Sequence, residues 1–243
     1  MFAFRRTALL LALALPAMTA AFAQDSSSNP APAPDQAQAQ PTSAQASVQA
    51  RIRARRQQRR AQAIQEAYSH PYEIFTGMGY QRFKAGSGSN VQTVTTYAWD
   101  AGLTRYFNER FGVTLDGRGN YGTPYVGQNN FNVTRPAVSV YSVMAGPTYR
   151  FYMLPHASAG VRVLGGYAQG NFSGDTNGFG TKNLGLYDDG YTFSLNASLP
   201  LEWNVSPTLA LRIAPEITST GFGSEMQASP GFTGGFVFRF GKQ

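Results

Sequence analysis

From Tyr191 to Trp203 the chain reads YTFSLNASLPLEW, and this alternation constrains the fold more than any other feature of the sequence. Tyr191, Phe193, Leu195, Ala197, Leu199, Leu201 and Trp203 share one face, while Thr192, Ser194, Asn196, Ser198, Pro200 and Glu202 share the other. Side chains along a strand point alternately to its two faces, whereas a helical period of 3.6 would mix these two sets. A strand sorted in this way belongs between an apolar medium and a polar one. Pro200 has no N–H for a ladder, so a bulge is expected near the end of this strand.

The same parity yields seven further strands, at roughly 72–83, 93–107, 111–123, 137–151, 157–169, 208–219 and 231–240. Each meets the length of about 9–11 residues that a tilted membrane-crossing strand needs. The connections alternate in length. Asn108–Arg110, Tyr152–His156 and Asn204–Pro207 are tight, whereas 84–92, 124–136, 170–190 and 220–230 are longer and rich in Gly, Asn and Ser. Short turns at one end and long loops at the other are the pattern of a membrane barrel. Aromatics gather near the strand ends, at Tyr72, Phe107, Phe111, Tyr149, Phe151, Tyr191, Trp203 and Phe240, as interfacial girdles do. The fold class expected is all-β: an eight-stranded antiparallel up-and-down transmembrane β-barrel, with an N-terminal signal peptide and a disordered to partly helical extension. The soluble rival, a sandwich or lipocalin-like barrel, would show the charges outside and hide the aromatics.

Charged residues are only 14% of the chain, against about a quarter in ordinary soluble domains, which suits a wall facing lipid. There is no Cys, which excludes disulfides, thiolate metal sites, a cysteine nucleophile and a lipid-modified N-terminal Cys. The chain start reads as a secretory signal over 1–23. Arg5 and Arg6 precede the apolar run TALLLALAL, and Ala21-Phe22-Ala23 supplies the small-x-small cleavage pattern. That run is too short to span a bilayer, and no other segment is long and apolar enough for a transmembrane helix. Residues 24–47 are rich in Ala, Pro, Gln and Ser and read as a disordered tether. Residues 48–70 form a basic, partly helical arm carrying Arg51, Arg53, Arg55, Arg56, Arg59 and Arg60, with 71–243 left for the barrel. Like charges at i,i+4 in the arm weaken an isolated helix until an anionic partner neutralises them.

The stretch WDAGLTRYFNERFGVTLDGRGNYG (99–122) and the terminal GFTGGFVFRF (231–240) resemble small bacterial outer-membrane barrels, of the OmpA-transmembrane-like, OmpX-like and opacity-protein-like kind. The resemblance covers about residues 72–240. It implies a bacterial outer-membrane location with the arm in the periplasm. It also implies contact with outer-membrane lipid, and recognition of the last strand, with Phe236, Phe238 and Phe240, by the barrel-assembly machinery. Here Gly241-Lys242-Gln243 follow the final aromatic, where many members end on it. A peptidoglycan-binding domain is not expected after the barrel. Members of the group include anchors, adhesins, small pores and enzymes, so the resemblance does not choose a role.

On the inward face, parity places the acids Glu73, Asp100, Asp116, Glu202 and Glu216 with the bases Arg118, Arg150, Arg162, Arg212 and Arg239. Equal numbers of opposite charges in a barrel just wide enough for side chains read as an ion-pair network that fills the interior. The role expected is therefore structural or surface-interacting, in a monomer; the alternative is a small nonspecific pore. An outer-membrane lipid-modifying enzyme is a poorer reading. The resembling acyltransferases and deacylases need a His beside a Ser at the outward-facing end, whereas His70 and His156 fall at the opposite end. There is no nucleophile elbow, HExxH or Gly-rich phosphate loop. No cofactor, metal or catalytic residue is assigned, and Asp175, Asp188 and Asp189 lack a calcium-loop spacing.

Three readings of the arm stay open: a plain tether, a contact with anionic lipid headgroups, or a site for a periplasmic anionic partner. Export argues against nucleic acid. Finally, a hairpin centred on Glu109 sets Asp100 opposite Arg118, and the two are expected to form an inward ion pair.

Overall fold

The computed structural model describes residues 43–223 and 226–241. The expected signal peptide and all but the end of the expected tether lie outside the described residues. Helix α1 runs Ser43–Tyr68, so it begins inside the stretch whose composition reads as tether. It is followed by β1 (Tyr72–Lys84), β2 (Thr93–Tyr106), β3 (Phe111–Gly122), β4 (Ala137–Met153), β5 (Ala157–Gly174), β6 (Gly190–Ser198), β7 (Leu201–Asn204), β8 (Leu209–Thr220) and β9 (Gln227–Phe240).

Every neighbouring pair is antiparallel, and β1 pairs with both β2 and β9, which closes the sheet into a barrel. The segments β6 and β7 are one strand interrupted at Leu199-Pro200, since both pair with β5 on one side and β8 on the other. The barrel therefore has eight staves. Across the interruption, Gly160 N–H donates to the Pro200 carbonyl at 3.0 Å and Leu199 N–H to the Pro215 carbonyl at 3.0 Å. A proline without an N–H is thus accommodated in a closed ladder by a local bulge.

At the terminal end, where β1 begins and β9 ends, the turns are tight. Asn108 Oδ1 accepts from the Arg110 N–H at 2.9 Å and the Phe111 N–H at 2.7 Å, a side chain closing its own turn. At the other end the strands run further than alternation alone suggests: β5 continues to Gly174 and β9 begins at Gln227. The extra length is held by packing described below.

The outer wall is apolar and exposed, with Met78 78%, Tyr191 78% and Val143 62% accessible. The interior is charged, with Glu73, Asp116 and Arg239 all within 1% of full burial. A protein folded against water has the reverse distribution. This wall is solvated by hydrocarbon, and the chain is a transmembrane barrel. Among the described residues, the only charged side chains facing outward from the strands are Arg105 at the terminal end and Arg82 and Lys84 at the loop end. Aromatics mark both levels. Tyr72 stacks on Phe240 with centroids 5.5 Å apart, and Phe107 on Phe111 at 6.2 Å. At the loop end Tyr80 touches Tyr97 and Phe232, at 5.3 and 5.7 Å, and Tyr121 meets Tyr141 at 5.7 Å. From Tyr72 to Tyr80 a strand tilted by ~40° climbs roughly 20 Å, close to the apolar band of such barrels.

Candidate functional site

The chemistry-bearing residues of this chain converge on the barrel interior, where they form two joined networks. In the terminal half, Glu73 on β1 lies at the centre. Its Oε1 accepts from Arg239 Nε at 2.6 Å and from Arg150 Nη2, and its Oε2 from Arg212 Nη2 at 3.3 Å. Glu202 on β7 shares two of these arginines. It accepts from Arg212 Nε and Nη2 at 2.9 and 2.5 Å, from Arg239 Nη2 at 2.6 Å and from Ser158 Oγ at 3.0 Å. In the loop half, Asp116 on β3 takes a forked pair from Arg118, Nε at 2.9 Å and Nη2 at 3.3 Å, with Arg162 Nη1 at 3.6 Å. Arg118 Nη1 crosses the lumen to Glu216 Oε1 at 2.7 Å, and Asn196 Nδ2 donates to Glu216 Oε2 at 3.2 Å.

Phe75 joins the two halves. Its ring lies 4.4 Å from the Arg162 guanidinium and 4.8 Å from that of Arg212, a desolvated cation–π contact. The ring fits because Gly102 is its cross-strand partner; a Cβ there would stand 2.4 Å from the Phe75 ring.

All ten inward ionisable residues singled out by parity are buried, but one pairing differs from expectation. Asp100 and Arg118 are directly opposed in the ladder, yet no ion pair forms between them. The short Asp100 side chain folds over Gly77, whose absent Cβ leaves room for Oδ1. The longer Arg118 side chain reaches two residues along its own strand to Asp116 and across the lumen to Glu216. Asp100 Oδ1 has no partner. The expected consequence is a contrast: Asp100→Asn costs under about 1 kcal/mol, whereas Asp116→Asn, which strips a buried arginine of its forked acceptor, costs roughly 3–5 kcal/mol. Urea unfolding in detergent micelles measures both.

Both ends of the interior are closed. At the terminal end Tyr68, the last residue of α1, is fully buried in the mouth. Its hydroxyl donates to the Leu154 and Ala157 carbonyls, at 3.0 and 3.2 Å, and accepts from Asn204 Nδ2 at 2.8 Å. The Arg150 and Arg239 guanidinium groups each lie 5.1 Å from its ring. Residues 47–62 of α1 are exposed, Arg51, Arg53, Arg55, Arg56, Arg59 and Arg60 among them, while Ala67 beside Tyr68 is buried. No sequence signal marked Tyr68, because a helix end carries no period-two pattern.

At the loop end the Gly- and Asn-rich segments build an apolar core. Phe83, Val91, Val126, Val133, Phe172 and Phe222 are among its buried members. Phe172 packs against Phe222 at 5.2 Å and Phe83 at 6.2 Å, which explains why β5 extends past the wall. Asp189, exposed in its loop, accepts from the Phe172 and Ser173 N–H groups at 2.5 and 3.1 Å. Asp188 pairs at the surface with Lys182 at 3.2 Å. Among the described residues no three metal-ligating side chains come together. His70 Nδ1 lies 2.6 Å from the Gly241 carbonyl, and His156 is exposed, both at the terminal end.

No family model and no curated protein matches the sequence. Among solved structures the chain is similar to small outer-membrane barrels. One is Ail, the attachment invasion locus protein of Yersinia pestis, in complex with the heparin analogue sucrose octasulfate, at 17% identity and TM-score 0.45, covering 70% of this chain and 97% of that one. Another is Neisserial surface protein A, at 13% identity and TM-score 0.46, with the same two coverages, 70% and 97%. A third is OprG from Pseudomonas aeruginosa, at 12% identity and TM-score 0.44, covering 73% and 99%.

The interior described above is thus an ionic core with an aromatic stopper below and an apolar cap above. On the wall, Phe236, Phe238 and Phe240 of β9 face outward, 58, 53 and 36% accessible, beside the β1 seam that closes the barrel.

Proposed function

We propose that this chain is a sealed, non-catalytic barrel of the bacterial outer membrane, whose work is done by its surfaces: loops outside, basic arm in the periplasm. The observation that carries this reading is the continuous filling of the interior from Tyr68 to Phe222. A pore needs a water path, and an enzyme needs a reachable site with a nucleophile or base. All the charged groups of the lumen except Asp100 are instead paired with one another. The barrel is monomeric, and its last strand, with Phe236, Phe238 and Phe240, is the segment read by the assembly machinery.

Fractionation tests the location. The protein should sediment with outer membrane and run faster on a gel unheated than boiled; recovery as a soluble periplasmic protein would defeat the reading. Protease added to intact cells tests the orientation, since the arm is expected to survive until the outer membrane is permeabilised.

The arm is the second working surface. Its six exposed arginines suit an anionic lipid surface, each contributing about 1 kcal/mol of attraction that decays over a Debye length. A peptide spanning residues 48–68 should bind vesicles rich in anionic phospholipid and lose that binding as salt rises. Equal binding to neutral vesicles, or none to either, would reduce the arm to a tether.

A further inference from the structure

The wall has a notch at its loop end. Strand β3 stops at Gly122, while β2 on one side and β4 with β5 on the other continue past it. Tyr97↔Tyr121 is the last ladder pair between β2 and β3. The next backbone bond between these segments is Gln92 N–H to the Tyr125 carbonyl, at 2.9 Å. Between them lies an open groove of about 540 Å³, lined by Val94, Thr95, Tyr97, Tyr121, Ala137 and Val138 among others. It opens on the outer face of the barrel at the level of the tyrosine girdle, and is continuous with the lipid-facing wall.

Cations flank it. Arg82 is the cross-strand partner of Thr95, and Lys84 of Thr93, so both stand on the outward face next to the groove. Arg135 is exposed two residues before the lining residue Ala137. Among the described residues none of the three has an ion-pair partner. The wall elsewhere between the girdles carries no outward charge, so this cluster sits where hydrocarbon gives way to headgroups. An apolar groove at that depth fits an acyl chain, and unpaired cations beside it fit phosphate.

We propose that the notch over β3 holds one acyl chain of a phosphorylated glycolipid of the outer leaflet, of the lipid A type, with Arg82, Lys84 and Arg135 binding its phosphates. This rests on the reading that the loop end faces the outside. The groove supplies position and the cations supply selectivity, so the two contributions separate by mutation. Ser139, another lining residue, points outward, and Ser139→Trp fills the groove without touching the interior networks. Arg82→Gln with Lys84→Gln removes charge without touching the groove.

The test is native mass spectrometry of the refolded full-length protein released from detergent micelles. The probes are bisphosphorylated lipid A, the same lipid dephosphorylated, and phosphatidylcholine. The wild type should retain one lipid A, with a preference of about tenfold or more over either comparator. The double charge variant should lose the preference for phosphate, and Ser139→Trp should lose retention of both lipid A forms. Arg105→Gln, at the opposite end of the barrel, should behave as wild type. Equal retention of lipid A and phosphatidylcholine by the wild type, or wild-type retention by both site variants, would overturn the proposal. A heat-shifted gel band from each variant shows that it has folded. A wild type without that shift would overturn the membrane reading itself, a different result from a folded barrel that ignores lipid A.

Discussion

Glu73→Ala should be the most damaging single change in the barrel wall, lowering stability by roughly 3–5 kcal/mol. Glu73 is fully buried and accepts from Arg150, Arg212 and Arg239 at once. Its removal leaves Arg150 with no carboxylate partner in a low-dielectric interior and leaves Arg212 and Arg239 to Glu202 alone. The penalty comes from orphaned charge rather than from the lost attraction, since a buried ion pair as a unit contributes little. Removing Arg150 together with Glu73 should therefore cost less than the two single changes added. Urea titration of the folded barrel in micelles, followed by the fluorescence of Trp99 and Trp203, reads both numbers. A Glu73→Ala variant as stable as wild type would show that the terminal network is not a closed set of charges.

Tyr68→Ala should have the second largest effect, a loss of roughly 3–5 kcal/mol from removing a fully buried aromatic ring. The ring fills the mouth beneath Arg150 and Arg239, and the hydroxyl ties the end of α1 to Leu154, Ala157 and Asn204. Tyr68→Phe keeps the ring and loses only the hydroxyl bonds, so it should cost about 1–3 kcal/mol. Hydrogen exchange distinguishes a stopper from a bystander. In Tyr68→Ala the amides of residues 61–70 should exchange faster while those of β1 through β9 keep their relative order of protection. Unchanged exchange in the arm would mean that Tyr68 does not anchor the helix.

The wall was legible from the sequence because a strand sorts its side chains by parity, and a membrane barrel puts opposite chemistries on the two faces. Tyr191 to Trp203 displays this directly, and Pro200 announced the break between β6 and β7. The tight turn at Glu109 even set the register of Asp100 against Arg118. What register does not fix is where a flexible side chain goes next. Aspartate is short and found space over Gly77, while arginine is long and reached Asp116 and Glu216. The two ends of the interior were illegible for different reasons. Tyr68 is one aromatic at the end of a basic helix, with no repeat to mark it. The apolar cap draws Val91, Val126, Leu184 and Phe222 from segments whose Gly and Asn content reads as loop. The available clue was that inward parity stays apolar past the wall, at Phe83, Val138 and Phe172.

Electrical recording in planar bilayers tests the sealed interior most directly. Purified, heat-shifting protein should insert and show no steady conductance, because Tyr68, the ionic networks and the loop core occupy the path in series. Stable, reproducible channels from the monomer would contradict this account and make the barrel a pore.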